Sequence, residues 1–313
     1  LLSRTADSLY WTARYVERAD FLARILDAAH RLSALPTSYA GGASAEWESA
    51  VASSGSAAGF YERYGDANEE TVRDYLVFNP DNPSSIVSCL NTARSNARAV
   101  RTALTSETWE SLNSAWNELT VADRNMGPEE FSRFLDWVKN VALVFDGSAR
   151  RTMLRNDAYW FLRLGGGLER ADNTARILDV KYHLLLPSTE AIGGGLDYFQ
   201  WTTILREVSA HTAYRWVYRG SVKPWLVADL LILNRQMPRS LSNCNEVVSR
   251  HLDLLGDRYG RRGPSQKLAR AMQARLTGLR IEDIFQQGLH EFIHQFLAEN
   301  AKLGAAINDQ YLT

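Results

Sequence analysis

Glu17, Asp20, Arg24 and Asp27 follow one another at steps of three, four and three residues, and the same letters return as Glu169, Asp172, Arg176 and Asp179. On a helix each set forms a single polar stripe. Carboxylates set beside guanidiniums offer three kinds of chemistry. A buried ion-pair network can hold two helices in register, a charged clamp can take both ends of an amino acid or peptide, and Glu17 or Glu169 could move a proton as a general acid or base. The first reading is preferred, because such pairs more often specify geometry than chemistry, and no nucleophile accompanies either glutamate to support the third. The stretches around the stripes, "ERADFLARILD" at 17–27 and "ERADNTARILD" at 169–179, share nine of eleven letters at an offset of 152 residues. Solvated ion pairs contribute only about 0–1 kcal/mol and drift freely between copies. Stripes kept twice are therefore held by packing, by a ligand, or by each other.

Three further groupings have the spacing of sites. Arg94, Arg98 and Arg101 share one helical face that could attract an acidic group, although a solvated face explains them as well; the counterparts of Arg94 and Arg98 in the second half are Ser249 and Asp253. "LGGGLERAD" places Gly166 and Gly167 where the first half has Arg14 and Tyr15. It lacks the preceding strand and the Lys-Ser/Thr of a phosphate loop, so the glycines are expected to serve close helix packing or a local kink. His290-Glu-Phe-Ile-His294 has the H-E-x-x-H form in which two histidines one turn apart grip zinc. The reading needs a third protein ligand, Glu299 and Asp309 are poor substitutes for one, and "WVKNV" at the aligned place in the first half carries no ligand. No metal and no cofactor are therefore assigned, and a zinc hydrolase through His290 and His294 stays a minor alternative.

The elements that must position these residues are helices. Leu2, Ala6, Leu9, Ala13 and Val16 keep helical spacing up to a stop expected at Pro36, and "GPEEFSRFLDWVKNVALVF" opens with Pro and two acids suited to a helix start. Pro83 and Pro238 read as first-turn prolines, and sustained β alternation is absent. The segments "SYAGGASAE", "MGPEE", "PSTEAIGGGLD" and "GRRGPSQ" read as loops.

The repeat extends well beyond the stripes. "FNPDNPSSIVSC" ending at Cys89 matches "LNRQMPRSLSNC" ending at Cys244, and Trp47, Phe60 and Tyr64 match Trp201, Tyr214 and Tyr218. The expected fold is all-α, a helical bundle of two tandem-duplicated halves, 1–150 and 151–313, related by pseudo-twofold symmetry, with six or seven helices in each. The cysteines then read as equivalent core residues and not as a bonded pair.

A formal charge of -1, with 45% hydrophobic and 23% charged residues, excludes disorder and argues against nucleic acid or an anionic membrane as general partners. No uninterrupted apolar run reaches spanning length, and charges sit where a signal peptide would be hydrophobic, so a cytoplasmic protein is expected. Nine Trp and 13 Tyr supply aromatic mass for cores or partner surfaces.

The segments "LLSRTADSLYWTARYVERADFLARILD", "YWFLRLGGGLERADNTARILDVKYHLLLP" and "GLHEFIHQFLAENAKLGAAI" together resemble the Alpha-E family of bacterial proteins. The resemblance runs essentially end to end and implies an α-helical domain of unknown biochemistry named for a glutamate-arginine motif, carried here by Glu17-Arg18 and Glu169-Arg170. Members are typically encoded beside, or fused to, circularly permuted ATP-grasp ligases and transglutaminase-like peptidases, which implies work on a peptide. Where the family usually shows "GRYLERAD", this chain has "GGGLERAD"; His290 and Glu291 fall in the family's "GLHEF", and His294 does not.

Two functions follow from these observations. The preferred one is a non-catalytic helical partner of an ATP-grasp peptide ligase and a transglutaminase-like peptidase, holding a peptide or its carboxylate through Arg14, Glu17, Arg18, Asp20, Arg24, Arg94, Arg98, Glu169, Arg170, Asp172 and Arg176. The alternative is an enzyme of the same pathway, with Glu17 as general base and Arg14, Arg18 and Arg24 steering a carboxylate.

Overall fold

A computed structural model describes residues 2–33, 43–184 and 195–313, and among them every regular element is helical. The first half holds α1 (Ser3–Ser33), α2 (Ala43–Ser54), α3 (Ala57–Arg63), α4 (Glu69–Arg73), α5 (Ile86–Ala99), α6 (Ser106–Thr120) and α7 (Pro128–Thr152). The second holds α8 (Asp157–Leu184), α9 (Gly195–Glu207), α10 (His211–Tyr218), α11 (Pro224–Ile232), α12 (Leu241–Tyr259), α13 (Pro264–Gly278), α14 (Ile281–Gln287) and α15 (Leu289–Ile307). None of these helices is long and apolar enough to cross a membrane.

The long helices α1 and α8 lie against each other at the centre. Around α1 sit α5 and α7, and around α8 sit α12 and α15; α6 then packs on α5 and α7, as α13 does on α12 and α15. A helix enclosed by neighbours must be apolar or paired on most of its faces, and α1 buries Leu9, Val16, Phe21, Leu22 and Leu26 together with Glu17, Asp20 and Arg24.

Aligned residues perform the same local tasks. Ser85 Oγ accepts from the Ser88 N–H at 3.1 Å to start α5, and Ser240 Oγ accepts from the Asn243 N–H at 3.0 Å to start α12. The side chains of Asn79 and Asn234 each accept from the backbone N–H two residues ahead. Tyr64 donates to Asp74, and Tyr218 to Asp229. Cys89 and Cys244 are free, buried thiols, each pushed up to about 12 by burial.

The glycine run lies inside unbroken α8. A Cβ on Gly165 would fall 2.1 Å from the Tyr10 carbonyl oxygen, and one on Gly167 would sit 3.1 Å from Val248 Cγ2. Glycine's helix penalty of about 1 kcal/mol is offset by letting α8 approach α1 and α12 this closely. The phosphate-loop reading ends there, because the segment is helix interior.

Several boundaries differ from the sequence expectation. Pro83 and Pro238 precede the caps Ser85 and Ser240, so they belong to the turn before each helix and not to its first turn. The division at residue 150 falls within the last turn of α7, which continues to Thr152 and ends where Met153 turns to extended backbone, its N–H still donating to the Ala149 carbonyl. Among the described residues the second half carries eight α-helices, because Gly288, at φ +106°, separates α14 from α15. Of the expected loops, 43–46, 128–130, 195–197 and 264–266 are helical, while Pro36, 38–42 and 187–194 lie outside the described residues.

Candidate functional site

The centre of the molecule is an exchange of charge between α1 and α8. Arg170 of α8 donates to Glu17 of α1 through both Nε (2.9 Å) and Nη2 (2.7 Å). In return, Arg18 of α1 donates through Nε to Glu169 of α8 at 2.6 Å. The glutamate of each motif is thus held by the arginine of the other. Glu17 is 6% exposed and Glu169 3%. Burial alone would raise both carboxyls, but the guanidiniums outweigh it and hold Glu17 and Glu169 below the ordinary carboxylate range.

Each glutamate receives a second arginine, from a different part of each half. Glu169 takes Arg14 Nε at 2.7 Å, whereas Gly166, the counterpart of Arg14, has no side chain to offer Glu17. Arg239, from the turn before α12, fills that role with Nη1 2.8 Å from Glu17 and Nη2 2.6 Å from Asp20. The residue aligned with Arg239 is Ser84, whose Oγ accepts from Arg18 at 3.3 Å. Arg239 escaped sequence inspection, although its standing opposite Ser84 in the repeat was the available signal.

The other expected residues divide clearly. Arg24 joins the cluster, donating to Asp20 at 2.8 Å and reaching the Glu207 carbonyl at 3.1 Å and Ser209 Oγ at 2.8 Å. Asp172 and Arg176 pair with each other at 2.6 Å, partly open to solvent. Arg94 lies apart, donating to Asn113 at 3.1 Å and lying over the Trp109 ring, and Arg98 is exposed. Asp27 receives Arg31 at 2.9 Å and Lys139 at 3.0 Å. Its counterpart Asp179 meets His290 Nδ1 at 2.6 Å and His294 Nε2 at 3.5 Å. Of the substitutes weighed for a third ligand, Glu299 is taken by Arg275 at 2.6 Å.

Open space lies to the side of the brace. A cleft of about 540 Å³ between the end of α7, α8 and α12 is lined by Arg150, Arg155, Arg163, Arg170 and Arg250, with no acidic residue in its described lining. Asp146, outside that lining, neutralises Arg150 at 2.7 Å and also pairs with Arg163. Arg155 and Arg250 are exposed and have no acid within ion-pair distance among the described residues. Such a cleft is suited to an anionic group, with guanidiniums able to take a carboxylate in two bonds. Its arginines come from α7 (Arg150), the connection after it (Arg155), α8 (Arg163 and Arg170) and α12 (Arg250), so no single stretch of sequence displayed them together. The cleft of about 460 Å³ beside Arg14 and Arg18 carries Asp172 and Asp309 as well, and those two arginines are already engaged by Glu169.

These features define an all-helical protein whose two longest helices are locked by crossed glutamate-arginine pairs. The chain belongs to the Alpha-E family, described as a predicted alpha-helical domain with a conserved ER motif, whose model matches residues 1–312. Neither a curated protein nor a solved structure matches the chain.

Proposed function

We propose that the chain is a non-catalytic helical accessory protein that docks on a peptide ligase of the ATP-grasp class and holds an acidic peptide or its terminal carboxylate. The observation that carries the non-catalytic reading is the saturation of the motif: Glu17 is bound by Arg170 and Arg239, and Glu169 by Arg14 and Arg18. A carboxylate held toward its ionised form is a weak base, and the oxygens of both glutamates are already engaged by guanidinium N–H groups. The glutamate-arginine motif is then a brace that fixes the two halves, and binding falls to surfaces around it.

The arginine cleft supports the peptide carboxylate. Exposed Trp216 and Val217 on α10 and Trp225 on α11 support a protein contact, since aromatic residues in the open are the usual anchors of such surfaces. The ligase, and a transglutaminase-like peptidase beside it, come from the setting of the family. Co-expression with the neighbouring ATP-grasp protein is the test. A complex that survives size-exclusion chromatography, is lost with Trp216→Ala and Trp225→Ala, and is needed for ligase turnover is expected. Independent elution of the two proteins, with full ligase activity in the absence of this chain, would reject the proposal. The Arg155→Gln, Arg250→Gln double variant should lose affinity for a glutamate-rich peptide in fluorescence polarisation while keeping the complex.

A further inference from the structure

Two histidines at i and i+4 present their rings on one face of a helix. On α15 that face meets the end of the α8 stripe. His290 Nδ1 lies 2.6 Å from one oxygen of Asp179 and His294 Nε2 3.5 Å from the other, with the two rings 4.2 Å apart. The three donor atoms lie within 4.8 Å of one another. The third ligand that the H-E-x-x-H spacing lacks within its own helix is thus supplied by Asp179, 111 residues earlier in the chain.

We infer that Asp179, His290 and His294 form a binding site for a divalent metal ion of the zinc class, tying α15 to α8. Two imidazoles and one carboxylate are a donor set that zinc favours, with bonds of about 2.0–2.2 Å. Tetrahedral geometry at those lengths sets donors about 3.3 Å apart. Reaching it requires Asp179 and His290 to part slightly and His294, 62% exposed, to turn inward. The counterpart in the first half sharpens the assignment: Asp27 faces Arg31 and Lys139, whose charged groups have no ligating lone pair, whereas Asp179 faces two imidazoles, whose ring nitrogens ligate once unprotonated. The start of a helix disfavours a cation, and the Asp179 carboxylate supplies the balancing charge. Glu291 takes no part, because its carboxylate is turned back onto the start of α15, where a Cβ on Gly288 would lie 2.0 Å from its Oε2.

The test uses the full chain made without a histidine tag, stripped with chelator and titrated with zinc chloride by calorimetry, with cobalt(II) absorption as a second readout. One ion per chain and the visible bands of tetrahedral cobalt are expected. His294→Ala, at an exposed position that leaves folding intact by circular dichroism, should weaken zinc binding by at least about a hundredfold, as should Asp179→Asn. His211→Ala, on α10, should leave it unchanged. Absence of stoichiometric binding, or affinity indifferent to His294→Ala, would overturn the assignment.

Discussion

Replacing Glu17 with Gln keeps the shape of the brace and removes one charge from its centre. Arg239 retains Asp20 at 2.6 Å, but Arg170 loses the carboxylate that satisfied both Nε and Nη2. Breaking a buried pair on one side costs about 3–5 kcal/mol, because the remaining charge stays out of water uncompensated. Coulomb's law gives the same scale, about 4 kcal/mol for charge centres about 4 Å apart at an effective dielectric of about 20. An unfolding entropy of about 2.1 cal/mol/K per residue over 313 residues is about 0.66 kcal/mol/K, so the melting temperature should fall by about 5–8 °C. Scanning calorimetry or thermal circular dichroism reads this directly, with urea titration as a check. Asp172→Asn, which breaks a partly exposed pair, should cost less than about 1 kcal/mol and serves as the control. Glu17→Met combined with Arg170→Met should recover most of the loss, since no charge is then stranded. A Glu17→Gln protein that melts within about 1 °C of the parent, no lower than Asp172→Asn, would refute the brace.

Adjacent glycines should behave in opposite ways. Gly165→Ala drives a methyl into the Tyr10 carbonyl and should destabilise by at least about 1–3 kcal/mol, whereas Gly166→Ala meets only Ala13 Cβ at 3.9 Å and should be neutral or stabilising by up to about 1 kcal/mol; urea midpoints distinguish them. Acid should destabilise the protein in two windows. Burial lowers His251 to about 4, below an unfolded value of about 6.5, so protons favour the unfolded chain and roughly 3 kcal/mol is lost as pH falls between those values. The depressed Glu17 and Glu169 contribute stability above about pH 4.3 that is lost as pH falls further; His251→Gln should flatten the first window alone in a pH series of urea melts. Cys89 and Cys244, with thiols pushed up to about 12 and buried, should resist a thiol-reactive dye at neutral pH and both react on unfolding. A fast-reacting thiol in the native protein would contradict the placement of that cysteine.

Much of the architecture was legible because it rests on local rules. The helical spacing of Leu9, Ala13 and Val16 and the chemistry of Gly127-Pro128 act within one or two turns of chain, whereas the starts of α5 and α12 fall at the caps Ser85 and Ser240 and not at Pro83 and Pro238, where the sequence placed them. The repeat in addition marked Glu17-Arg18 and Glu169-Arg170 as held by something stronger than solvent, and left the glycines of α8 between close packing and a kink; close packing is what Gly165 and Gly167 serve. What serves each charge was not legible. Glu17 is bound by Arg170 and by Arg239, 222 residues away, and Asp179 meets His290 and His294 on a helix that begins 110 residues later. Spacing along one helix says which side chains share a face, but the partner on the facing helix depends on the register and depth at which the two pack. That register is decided where Gly165 rests against Tyr10, in a contact that exists only once the helices have come together.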